Sequence, residues 1–168
     1  MNALRSQFED RPFTVGYSKS TTLPARDGVS HGTIQRSSKA PNNSFFKNWT
    51  NTNDTITWDI EVGQAGSYKA IIFYTCAEGD VGAHMHLSID GKDNASTQTV
   101  VTQAFDPSLY DKSKERVEKS HYFVKDFKPL TMERPIKLPK DLSVLRLRAL
   151  KIPGKQAIDV HSIDLVRR

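Results

Sequence analysis

Three cationic or switchable side chains in one polar stretch, Arg26, His31 and Arg36, have the chemistry to hold an anion. Arg26, Asp27, His31 and Arg36 fall within a segment rich in Ser, Thr, Asn, Gly and Pro. Clustered cationic or switchable groups can grip a sulfate or carboxylate, because a guanidinium offers a planar fork of two donors. Arg26 and Asp27 can equally well pair with each other and only organise the chain. Phe45, Phe46 and Trp49 follow in the same segment. A ring in such a place can stack on the apolar C–H face of a pyranose while polar neighbours bond its hydroxyls. The competing role for Trp49 is that of a lid over a sheet. Tyr110 and Tyr122 flank a second polar segment.

Other constellations are poorer. His84-x-His86 sets two imidazoles on one face of a strand near Asp80, half of a metal site with nothing at ligand spacing to complete it. That pair is expected on a solvent-facing strand. Asp159 or Asp164 could contribute to a structural calcium site, since hard cations take carboxylate and carbonyl oxygens. The single cysteine, Cys76, rules out an internal disulfide and sits in an apolar run, Ile71 to Cys76, as a small buried hydrophobe does. The sequence offers no paired carboxylates, catalytic triad, phosphate loop, zinc finger or dinucleotide fingerprint.

The elements that must carry these groups are strands. Ile56, Trp58, Ile60 and Val62 alternate with polar residues, so one face of a strand is buried. Tyr68 to Cys76 is apolar on both faces. Met85, Leu87 and Ile89 alternate again, and Asp90-Gly91 then predicts a tight hairpin with its partner strand within Ser96 to Val101. Leu145, Leu147 and Ala149 form another alternating run, and Pro153-Gly154 predicts a type II turn. Ile158 and Val160 are out of phase with Ile163 and Leu165, which a bulge near His161-Ser162 would reconcile. Segments 18–54 and 104–120 have the composition of loops, the latter with a turn or two of helix from Ser113 to Lys119. Trp58, Tyr68, Ile72, Leu87, Leu147 and Ile158 are the expected core.

The length of 168 residues suits one domain over residues 1–168, with 1–17 as a linker or edge segment following an upstream domain. No apolar run approaches the roughly 20 residues that span a bilayer. The first ten residues lack the apolar core of a secretory signal. The net charge of +5 is uneven: +3 over residues 1–40, −5 over 41–109 and +7 over 110–168. Such a basic third can steer a domain towards an anionic partner, although its lysines alternate with acids.

Two stretches resemble a known pattern. Ala65-Gly66-Ser67-Tyr68-Lys69-Ala70-Ile71-Ile72-Phe73-Tyr74, then Leu87-Ser88-Ile89-Asp90-Gly91-Lys92, resemble the core of carbohydrate-binding modules of families 6 and 35. The closing segments Val144 to Ala149, Ala157 to Val160 and Ile163 to Leu165 are similar too. The resemblance implies an all-β, galactose-binding-like jelly-roll β-sandwich of two antiparallel sheets. Leu23 to Gly28, His31-Gly32, Asn42 to Phe46, Trp49, Thr75 to Gly82, Tyr122 to Leu130 and Ile152 to Lys155 are further similar to the C-terminal accessory domain of bacterial sulfatases of the N-acetylgalactosamine-6-sulfatase type. That likeness implies a non-catalytic domain following a sulfatase catalytic domain, in a secreted or periplasmic protein. The formylglycine motif of such enzymes, Cys/Ser-x-Pro-x-Arg, is not found, since Ala-Glu-Gly follows Cys76. The expectation is a domain that recognises glycan, sulfated by this context, with no nucleic acid or membrane partner. Arg26, His31 and Arg36 would meet its anionic group, Asp27 would belong to the same glycan-binding site, and Phe45 or Trp49 would stack on its ring. The rival is a structural domain that packs on the catalytic part and binds no sugar.

Overall fold

A computed structural model describes residues 12–37, 44–76, 78–80, 82–91, 99–102, 127–132 and 134–168. Among them there are strands and short 3-10 turns but no α-helix. The strands form two sheets facing each other across one core.

The first sheet is organised by its alternating segments. Strand β6 (Thr55–Val62) turns Ile56, Trp58, Ile60 and Val62 into the core. It pairs with β12 (Asp141–Lys151), whose Leu145, Leu147 and Ala149 are likewise buried. On the far side of β12 lies β8 (His84–Gly91), contributing Met85, Leu87 and Ile89, and then β9 (Thr99–Thr102). Two short strands share the other edge of β6: β1 (Phe13–Val15), running parallel to it, and β3 (Val29–His31), antiparallel.

The second sheet is built on β7 (Gly66–Thr75) and β13 (Asp159–Arg167). Tyr68, Ala70, Ile72 and Tyr74 face the core, while Ile71 and Phe73 are half-buried on the other side. Strands β10 (Lys128–Thr131) and β11 (Ile136–Leu138) pair with β7; β2 (Ser20–Pro24) and β5 (Phe46–Lys47) pair with β13. Strand β4 (Gln35–Arg36) completes the edge against β5. The register of β13 against β7 slips between Val160 and Ser162, the bulge that the change of phase predicts, so Val160, Ile163 and Leu165 all reach the core. The six expected core residues are all buried.

Four expectations change. Segment 18–54 is not a plain loop but carries β2, β3, β4 and β5. Asp90-Gly91 makes no tight turn: both residues stay in β8 against β12, and the β8–β9 ladder runs only from Leu87 opposite Thr99. Pro153-Gly154 is not a type II turn, because Gly154 is not among the residues with positive φ. Its loop is held instead by Asp80, a buried carboxylate that accepts the Lys155 N–H at 2.8 Å. His86 does not face solvent, with 8% of its surface exposed. The expected helical turn from Ser113 to Lys119, with Tyr110 and Tyr122, lies outside the described residues.

Candidate functional site

The expected glycan-binding residues divide into exposed and committed groups. Arg26 and Asp27 sit in a 3-10 turn, Ala25–Asp27, and both are exposed. The Arg26 Nε donates to Asp27 Oδ2 at 3.5 Å, a surface pair of little energetic weight. His31 closes β3 and is exposed, with its Nε2 2.9 Å from Thr57 Oγ1. The turn after it is pinned from below. Asp54, buried, accepts the Thr33 N–H at 2.9 Å and its hydroxyl at 2.5 Å. A Cβ at Gly32, whose φ is +92°, would lie 1.9 Å from that carboxylate, so glycine is required there.

Arg36, Phe45 and Trp49 do not fit their expected roles. The Arg36 guanidinium donates to the carbonyls of Ala25, at 2.8 Å, and Gly28, and lies 4.9 Å over the Phe46 ring. Its donors close the turn that carries Arg26, so they are not a free fork for an anion. Phe45, 8% exposed, packs with its ring 5.5 Å from that of Phe127. Trp49, 1% exposed, is a core residue, the lid alternative, and its carbonyl accepts the Ala157 N–H at 2.8 Å. Neither ring presents a face to a ligand. The reason is pairing: β4 and β5 draw this segment onto the second sheet and carry its aromatic groups inward.

An exposed aromatic does occur elsewhere, in the segment expected to be linker. Tyr17, between β1 and β2, has 71% of its surface exposed, the most of any aromatic among the described residues. Its ring lies flat over Gly63: a Cβ there would come within 2.5 to 2.9 Å of three ring carbons. The seat is anchored, since the Gly63 N–H donates to Val15 O at 2.8 Å and the Tyr68 hydroxyl donates to Gln64 O at 2.5 Å. Arg167 Nη1 donates to the Gln64 side-chain oxygen and approaches Gly16 O at 3.5 Å. An exposed ring seated on a glycine thus has an amide and a guanidinium on the residues next to its seat, Gln64 and Arg167, the composition of a sugar contact. The only sequence signal was an aromatic between turn residues, Gly16-Tyr17-Ser18, remote in the chain from Gly63 and Arg167.

The remaining candidates are buried or separate. Asp159 and Asp164 lie five residues apart on β13, roughly 16 Å at about 3.3 Å per residue, so they do not fit one shared ion. Asp164 accepts the Thr22 hydroxyl at 2.6 Å. A calcium ion would have to take either carboxylate singly, with carbonyl oxygens completing its shell. Among the described residues no three His, Cys, Asp or Glu side chains gather as metal ligands. Cys76 is a buried thiol whose pKa is pushed up to about 11 by burial first and then by the charges of Asp80 and Asp159. At neutral pH it is no nucleophile.

No protein-family model matches the chain, and no curated protein does. Solved structures do. A family 35 carbohydrate-binding module from Clostridium thermocellum aligns with a TM-score of 0.60 at 10% identity, over 90% of this chain and 100% of that one. The CBM35 from Cellvibrio japonicus Abf62 gives 0.59 at 14%, over 88% and 92%. The mosquito-larvicidal Cry4Aa toxin from Bacillus thuringiensis gives 0.67 at 16%, over 95% of this chain but 25% of the toxin. At these identities the likeness establishes the fold: a β-sandwich of the kind found in carbohydrate-binding modules.

Proposed function

We propose that this domain is a non-catalytic carbohydrate-binding module. The observation that carries the reading is Tyr17: an exposed ring seated over Gly63, next to the Gln64–Arg167 pair, on a sandwich shared with modules named for binding carbohydrate. Stacking needs a ring that is already in place, because ordering it on binding would consume affinity. The finer reading follows from the sequence. The glycan is sulfated, Arg26, Asp27 and His31 belong to its contact surface, and the companion is a sulfatase catalytic domain in a secreted or periplasmic protein. The support for the anionic part is the exposure of Arg26 and His31 and the excess of basic residues in the last third of the chain.

Calorimetry with a chondroitin 6-sulfate hexasaccharide and its desulfated form tests both levels. Both forms should bind wild type in the micromolar to millimolar range, the sulfated one more tightly and with greater salt sensitivity, as screening at about 8 Å demands. Tyr17→Ala should weaken both forms by about fivefold to tenfold, and Tyr17→Phe should keep wild-type affinity. Equal binding of the two forms removes the sulfate. Undiminished binding by Tyr17→Ala removes the platform.

A second reading has its own observation. Val29, Leu142 and Leu150 are exposed on or beside the first sheet, Leu142 with 64% of its surface. Aliphatic groups in such positions suit a domain that packs on its companion without touching sugar. Binding of neither oligosaccharide would leave this reading standing.

A further inference from the structure

The outer face of the first sheet carries two arginines on its middle strand. Inward positions of β12 are filled by Leu145, Leu147 and Ala149, so alternation turns Arg146 and Arg148 outward. Arg148 stands directly opposite Thr55 of β6 on one side and His86 of β8 on the other. His31 of β3 extends the same row beyond Thr55. One step along, Arg146 lies between Thr57 and Ser88.

Two buried atoms in this row have no hydrogen-bond partner among the described residues. His86, more than nine-tenths buried, has a buried Nδ1 with no hydrogen-bond partner among the described residues, and the buried Nε of Arg148 has none either. Buried polar atoms are normally satisfied, and a desolvated cation normally has a counter-charge. The two atoms belong to residues directly opposed in the sheet, so one acceptor lying between them would satisfy both. We propose that Arg148 and His86 hold an oxyanion, either a sulfate ester or a carboxylate of the bound glycan. This deepens the glycan reading and rests on it for the identity of the ligand. The guanidinium supplies the fork, a protonated His86 supplies a further donor at Nδ1, and the hydroxyl of Thr55 adjoins them in the row.

The site carries its own pH signature. Burial chiefly, and the charge of Arg148 secondly, hold the His86 pKa below its ordinary 6.5. Facing His86 are Arg148 and Arg146 from β12, His84 on its own strand and, from β9, Val100 opposite. Asp59 of β6 stands outward in the next row along, opposite Val144. A bound anion opposes the repulsion from Arg148, so it must raise the His86 pKa, and binding must tighten as pH falls below about 6.5.

The test is an NMR titration of the His86 imidazole in the full chain, with sodium sulfate, sodium glucuronate and sodium chloride at matched ionic strength. Sulfate, glucuronate or both should shift the His86 resonances and move its titration midpoint to higher pH, with chloride inert. Response to sulfate alone assigns the niche to a sulfate ester, and response to glucuronate alone to a uronic acid. Arg148→Gln should weaken the response by about tenfold or more, and Arg148→Lys, which keeps the charge without the fork, by less. No response to either anion, or one unchanged in Arg148→Gln with the fold intact by circular dichroism, overturns the proposal. The two readings fail separately. Anion binding without any oligosaccharide binding keeps the niche and removes the glycan. Oligosaccharide binding through Tyr17 with a silent His86 removes only the niche.

Discussion

Gly63 offers a way to move the Tyr17 ring without deleting it. A methyl group there would sit 2.5 Å from the ring's Cζ, so Gly63→Ala must tilt the ring off its seat. Because the ring is exposed, the cost to folding should be small, and glycan affinity should fall about as far as in Tyr17→Ala. A variant that binds normally would show that the seat does not matter. At Cys76 the expectation is inertness: a thiol with its pKa raised to about 11 should resist Ellman's reagent at pH 8 until denaturant opens the core. Rapid labelling of the folded protein would contradict the burial. Single residues were also where the sequence was hardest to read. Trp49 and Tyr17 both sit among polar residues, and composition alone made Trp49 the better ligand contact. What separates them is pairing: the stretch just after β5, bonded to Ala157 through the Trp49 carbonyl, takes Trp49 inward, while the turn after β1 leaves Tyr17 on the surface over a glycine from a distant segment.

The long strands were legible for the opposite reason. Eight or more residues of alternation fix a face, and one face fixes which side chains pack. The break of phase between Val160 and Ile163 gave the bulge in the same way. Strands β2 to β5 have five residues at most, and two residues carry no period. Their partners are also far away, as with Thr22 and Asp164, 142 positions apart. Truncating Ile72 in β7 or Leu147 in β12 to alanine should cost about 2–5 kcal/mol by urea denaturation, and losses below about 1 kcal/mol at both would contradict the assigned faces. The pairing of β8 with β12 has a pH consequence. His86 is held below its ordinary 6.5, so the unfolded chain takes up a proton before the folded one does. Stability must therefore fall as pH drops from about 6.5 to the folded value and then level off. His161, whose pKa burial also lowers, adds to the same loss. His86→Gln should flatten part of this slope, and a slope unchanged by it would place the effect elsewhere.

At the scale of the molecule, both sheets close on a single core, and the far-ultraviolet spectrum should be that of a β protein with under about a tenth of residues helical. The sandwich also dictates how binding can be seen. Trp49 and Trp58 are both buried in that core, so tryptophan fluorescence should respond weakly to a ligand at the surface. The most direct test of glycan recognition is therefore amide chemical-shift mapping of the isotope-labelled domain during titration with the chondroitin 6-sulfate hexasaccharide. Shifts should concentrate at Gly16 to Ser18, Gly63 to Ala65 and Arg167, and should vanish there in Tyr17→Ala. Saturating shifts that avoid those residues, or no shifts at millimolar sugar, would contradict the account.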